Sequence, residues 1–159
     1  PLNLACIEVD GILTISSVAL HTPGWAVLDV TPLWNPADQR GQDLLIPGLS
    51  GVYPLRRRVT VSERSLRMII SGYHDKDGNA YSDPRLGLFE NINYLNTNVV
   101  QPIGGNGLRT AVLTAPAGDA AYMTGSVHVL GLEIGDQVAG VAKAVLRVSI
   151  PSGRLSVVG

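Results

Sequence analysis

Apolar and polar residues alternate with period two over several stretches of the chain. In Val141–Ile150, Ala142, Ala144, Leu146, Val148 and Ile150 share one face while Lys143, Arg147 and Ser149 take the other, the pattern of a half-buried strand. Ser65–Tyr73 repeats it with Leu66, Met68 and Ile70, and Val59–Glu63 runs ahead of it. Arg109–Thr114 and Tyr122–Ile134 also read as strands, with Gly135-Asp136 turning the chain back. Nearer the start, Leu4–Val9 and Ile12–Val18 flank Asp10-Gly11, a hairpin signal because both turn positions need φ > 0. Trp25–Val30 follows the turn His21-Thr22-Pro23-Gly24. One stretch changes period. In Ser82–Val100, Leu86, Phe89, Ile92, Leu95 and Val99 recur every three or four residues, which predicts a helix over about 83–99 with these side chains packed on a sheet. Asp83 can accept the free amide hydrogens of the first turn as N-cap, and Pro84 suits the first helical position. The reading is mainly β: an antiparallel β-sandwich or barrel of about eight to ten strands with one flanking helix.

Gly 18 and Pro 10 fit many turns between short strands, and 159 residues suit a single domain spanning 1–159. Thr31–Ser50 holds three prolines and two glycines and is read as one long loop carrying Trp34, Leu44, Leu45 and Ile46. Loops of that length are usually functional or disordered, and the apolar residues argue against disorder. With aromatics at 5%, the core is expected to rest on Val, Leu, Ile and Ala. A net charge of −1 argues against nucleic acid or an anionic membrane as main partner. Charged residues make up only 16%, and mean hydropathy is +0.21. Either a monomer buries its apolar residues well, or neighbours cover much of its surface. Cys6 stands alone, so no internal disulfide is expected, and it reads as a small buried hydrophobe in a strand. With no membrane-length apolar run and no secretion signal in PLNLACIEVDG, a soluble protein not exported by the usual route is expected.

The chain shows little chemistry. His21, His74 and His128 are scattered, with no G-x-S-x-G, H-E-x-x-H or C-x-x-C. Asp75, Asp77 and Asn79 resemble the start of a calcium loop, but Ala80 stands where glycine is needed and Leu86 where a bidentate glutamate is needed. Gly104-Gly105-Asn106-Gly107 precedes a strand and lacks the Lys-Ser/Thr of a phosphate loop. No enzyme, cofactor or metal site is expected. Arg56, Arg57 and Arg58, with Arg64 and Arg67 nearby, admit three readings: a solvated strand end, a clamp onto carboxylates of a neighbouring copy, or a nucleic-acid contact.

The order Thr22-Pro23-Gly24-Trp25, Asp29, Leu33-Trp34, Arg40-Gly41, Leu45-Ile46-Pro47-Gly48, Gly51 and Arg57-Arg58 resembles minor tail proteins of long-tailed, siphovirus-type phages that infect actinobacteria. The later pieces agree: Gly78-Asn79, Asp83-Pro84, Gly87-Leu88, Asn91, Leu95, Asn98-Val99-Val100, Val127–Leu130 and Ser149-Ile150-Pro151 with Gly153-Arg154. The broader resemblance is to the tail-tube fold of tube subunits and of the ring domain of distal tail proteins. It implies a structural virion protein, built into the tail in the host cytoplasm, whose copies form a ring, usually hexameric. DNA would only pass through the channel, and the partners would be tube, tape-measure and baseplate or hub proteins. It also implies that the loop 31–50 reaches a neighbour, which would put Trp34, Arg40, Leu44, Leu45, Ile46 and Pro47 at the interface, with Arg56, Arg57 and Arg58 beside them in the clamp reading. Distal tail proteins usually carry a second domain, for which this chain leaves no room. A tail terminator, a head–tail connector ring or the major tube subunit are alternatives within the class. A module binding carbohydrate or the host surface is the alternative outside it.

Overall fold

The computed structural model describes residues 3–36, 39–40, 47–48, 51, 58–59, 62–101, 107–116 and 120–158. Along the chain come β1 (Ile12–Ile15), β2 (Val18–Ala19), β3 (Trp25–Val27), β4 (Gln39–Arg40), β5 (Arg58–Val59) and β6 (Ser62–Ser71). A helix, α1 (Pro84–Leu95), is followed by β7 (Arg109–Thr114), β8 (Ala121–Val138), β9 (Val141–Ile150) and β10 (Ser156–Val157). Strand pairing is antiparallel throughout the described residues. The main sheet is eight-stranded in the order β2-β1-β7-β8-β9-β6-β3, with β10 also on β8.

The 18-residue β8 joins the two halves of this sheet. Its first part pairs with β7, from Thr114↔Ala121 to Arg109↔Val127, and its second part pairs with β9, from His128↔Ser149 to Val138↔Val141. At the other end of the path, the bridge His21↔Ala26 and the bond from Val27 N to Leu20 O (2.9 Å) bring β3 against the residues that continue β2. The path therefore curls back on itself, as a sandwich closed along one side. Between its halves lies the aliphatic core that the composition called for: Leu13, Ile15, Leu66, Met68, Ile70, Leu113, Leu146, Val148 and Ile150 are all buried. Each large side chain so buried contributes about 1.5–3 kcal/mol. Trp25 is the exception to the aliphatic rule. It is buried, stacks on Tyr94 at 5.6 Å between centroids, and donates from Nε1 to Ala19 O (3.1 Å).

The turns differ from those expected. Leu4–Cys6 is a 3-10 turn, not a strand, with Asn3 Oδ1 accepting from Ala5 N (3.0 Å), and Cys6 is exposed. The first hairpin turns at Ser16-Ser17, whose φ of 50° and 67° fit a two-residue turn of the twist that strands prefer. Gly11 is needed for a different reason: a Cβ there would stand 2.3 Å from Tyr122 Oη. Gly135-Asp136 lies inside β8 at a bulge between Ile134 and Gln137, and the chain reverses later, at Ala139-Gly140 (φ 51° and 80°). The two expected runs 59–63 and 65–73 are divided differently, with Val59 in β5 and Ser62–Ser71 forming the single β6.

The helix begins as its sequence dictates. Asp83 Oδ1 accepts from Arg85 N (3.1 Å), Pro84 follows at the first position, and Asn96–Val100 adds a π turn at the far end. Its packing face is not the expected stripe. Leu95 and Val99 are buried and Ile92 is half-buried, but Leu86 is 57% and Phe89 69% exposed. The buried line runs instead through Gly87, Leu88, Asn91, Leu95 and Val99. Close approach decides this. A Cβ on Gly72, just past β6, would stand 1.7 Å from Pro84 O, and one on Gly87 2.3 Å from Gly72 O. Backbone meets backbone there, so the face toward the sheet carries glycine and asparagine, and the bulkier Leu86 and Phe89 turn outward.

Candidate subunit interface

Two buried polar side chains hold the helix on the sheet. Asn91 Nδ2 donates to Ser71 O (2.6 Å) and His74 O (2.9 Å), and its Oδ1 accepts from Tyr81 Oη (3.2 Å). All of its strong hydrogen-bonding groups are thus used across three segments. Arg109, 4% exposed, donates to Ser16 Oγ (3.2 Å) and Asn98 O (3.1 Å) and also to Gln101 O. Its charge faces the carbonyl end of the helical segment, where a cation is favoured. Sequence reading passed over both residues, because a period-based search counts apolar positions and takes Asn and Arg as solvent-facing.

Strand edges are the next question, because an unpaired edge is a template for another chain. Among the described residues, β7 pairs with β8 no further than Val127, so the same side of β8 carries no partner strand from Leu130 to Val138. Glu133 to Val138 are exposed on both faces of the strand. Leu130, Ile134 and Val138, the last 74% exposed, are among the large apolar residues in water. Phe89 and Ile92 of α1 line a cleft of about 470 Å³ with Gln137, Ala139 and Gly140, which brings the helix's exposed apolar residues beside the tip of this strand. Bulges after Val129 and Ile134 break the regularity of the edge.

A second element is the ribbon β4–β5, with Gln39↔Val59 and Arg40↔Arg58 as partners. It forms a two-stranded sheet separate from the main one. Of the residues expected at an interface, Arg40 and Arg58 therefore sit directly opposite each other in this ribbon. Leu44, Leu45, Ile46, Arg56 and Arg57 lie outside the described residues. Pro47 is exposed in a turn with Gly48 (φ 86°). Trp34 follows the 3-10 turn Thr31–Leu33 and is 41% exposed, with Nε1 donating to Tyr122 Oη (3.3 Å). Arg64 and Arg67 are held within the chain: Arg64 donates to Pro32 O and Gly153 O, and Arg67 lies 3.9 Å from Asp29. The outer face of the β6–β9–β8 sheet carries further ion pairs, Arg147 with Glu63 (3.4 Å) and with Glu133 (3.1 Å).

Further clefts lie elsewhere on the surface. The one over Trp25, about 370 Å³, brings Asp75, Lys76, Tyr81, Glu90, Asn91 and Tyr94 together. Partial burial opposes ionisation of Asp75, but hydrogen bonds from Asn79 and from the amides of Asp77 and Gly78 outweigh it and hold the carboxyl below its usual range. That carboxylate is committed to its turn, accepting from Asp77 N (2.9 Å) and Asn79 N (2.8 Å). Burial, then the charge of Glu90, pushes the Tyr81 phenol up. The Tyr94 ring has Trp25 stacked against it and the Lys76 ammonium 5.9 Å from its centroid, so it gives no free platform for a sugar. Among the described residues no three or more His, Cys, Asp or Glu side chains cluster as metal ligands do, and no helix is long and apolar enough to cross a membrane.

No family model and no curated protein matches the chain. Among solved structures, the chain is similar to the Dit protein of phage SPP1, described as a paradigm of the hub adsorption apparatus in phages infecting Gram-positive bacteria, with a TM-score of 0.61 at 15% identity over 90% of this chain. The chain shares its fold with that phage protein. The match takes in 50% of the Dit chain, so this chain spans about half the length of that relative. A protein of the sheath–tube complex of an extracellular contractile injection system aligns over 93% of this chain and 88% of its own at 13% identity, but a TM-score of 0.41 carries no weight. The mainly β, antiparallel fold with one α-helix among the described residues agrees with the architecture read from the strand pattern.

Proposed function

We propose that this chain is a structural component of a phage tail, a single tail-tube-like domain that builds a ring or tube segment from copies of itself and has no catalytic role. The observation that carries the reading is the fold, matched to the SPP1 Dit protein over 90% of this chain. The exposed edge of β8 and the apolar side chains of Leu86, Phe89 and Val138 support it, since a protein that stays alone gains nothing from them. In this reading the subunits close into a ring, a hexamer in the first instance, around a channel through which DNA passes. The other partners are tube, tape-measure and hub proteins, and the place of work is the virion tail. The loop 31–50 and Arg56–Arg58 contact a neighbouring subunit.

Native mass spectrometry and negative-stain microscopy of the purified full chain test this. Closed rings of identical subunits are the expected result. A protein that stays solitary at high concentration, and is missing from purified virions when probed with an antibody, overturns it.

A further inference from the structure

We draw no further inference here: the strongest candidate, the apolar cleft of about 470 Å³ that Phe89 and Ile92 of α1 line with Gln137, Ala139 and Gly140 beside the tip of β8, carries none because nothing in the structure shows what covers it.

Discussion

The helix junction and the open strand meet at the Ala139-Gly140 turn, where a Cβ on Gly140 would stand 2.6 Å from Pro84 Cβ. On one side of that turn, α1 sits so close to β6 that Gly72 and Gly87 bring backbone against backbone, and Asn91 satisfies two carbonyls between them. On the other side, β8 runs out with one edge unpaired among the described residues and Val138 in solvent. The junction is complete within one chain and uses small and polar residues to be so. The edge has no such partner among the described residues, and Leu130, Ile134 and Val138 on it are exposed. The comparison teaches that in this molecule large hydrophobic residues stand in solvent while the intimate contacts are made by residues a hydropathy reading ignores.

The contrast can be broken most strongly at the junction. Gly72→Ala is expected to cost about 3 kcal/mol or more of stability, because the new methyl meets the Pro84 carbonyl and the Leu88 amide and only movement of the helix relieves it. Chemical denaturation reads the loss as a lower midpoint; an unchanged midpoint means the backbones are not in contact. Asn91→Ala comes next, at roughly 2–4 kcal/mol, since it strands the Ser71 and His74 carbonyls. Acid provides a third, milder test. Hydrogen bonds from the Thr31 hydroxyl and amide, with help from Arg67, hold the Asp29 carboxyl below its ordinary 3.8, and Asp75 is held low as described. A carboxyl whose pKa is lower folded than unfolded stabilises the fold above the ordinary value, and that stabilisation fades as pH falls from about 4 through the lower folded value. Melting temperature should therefore drop below pH 4, and less so in the double variant Asp29→Asn, Asp75→Asn.

The edge is sharpened by changes that leave the subunit alone. Leu86→Ser with Phe89→Ser is expected to shift stability by no more than about 0.5 kcal/mol, because both side chains are already in water. The same pair should weaken ring formation in sedimentation velocity; unaffected rings would exclude this patch from the contact. Arg57→Ala with Arg58→Ala is expected to change stability least and likewise to weaken assembly at matched concentration, and rings formed as before would remove the arginines from the interface.

Much of the fold was legible because period-two patterning survives wherever a strand has one buried face. The boundaries of β7 and β9 were read to the residue, and the helix start followed from Asp83-Pro84. What escaped notice has identifiable causes. The hairpin turns use Ser16, Ser17 and Ala139 at positive φ, positions that sequence rules reserve for glycine or asparagine. β8 outran its expected end because its last residues are exposed on both faces, so no alternation marks them as strand. The helix face was misread because tertiary closeness overrode hydrophobicity: Gly87 and Asn91 went in while Leu86 and Phe89 stayed out. Of the residues expected at an interface, Trp34 and Pro47 are exposed and Arg40 lies opposite Arg58 in strand register, a pairing no spacing in the sequence announces.

Arg109 reaches back across 93 positions to Ser16 while it gathers the carbonyls of Asn98 and Gln101. On the ribosome, the amino-terminal hairpin is therefore made long before the side chain that anchors it is translated, and β1 waits for β7 as its sheet neighbour. Local contacts cannot finish such a molecule. Its folding is paced by the arrival of the later strands, since pairings between segments distant in sequence close slowly.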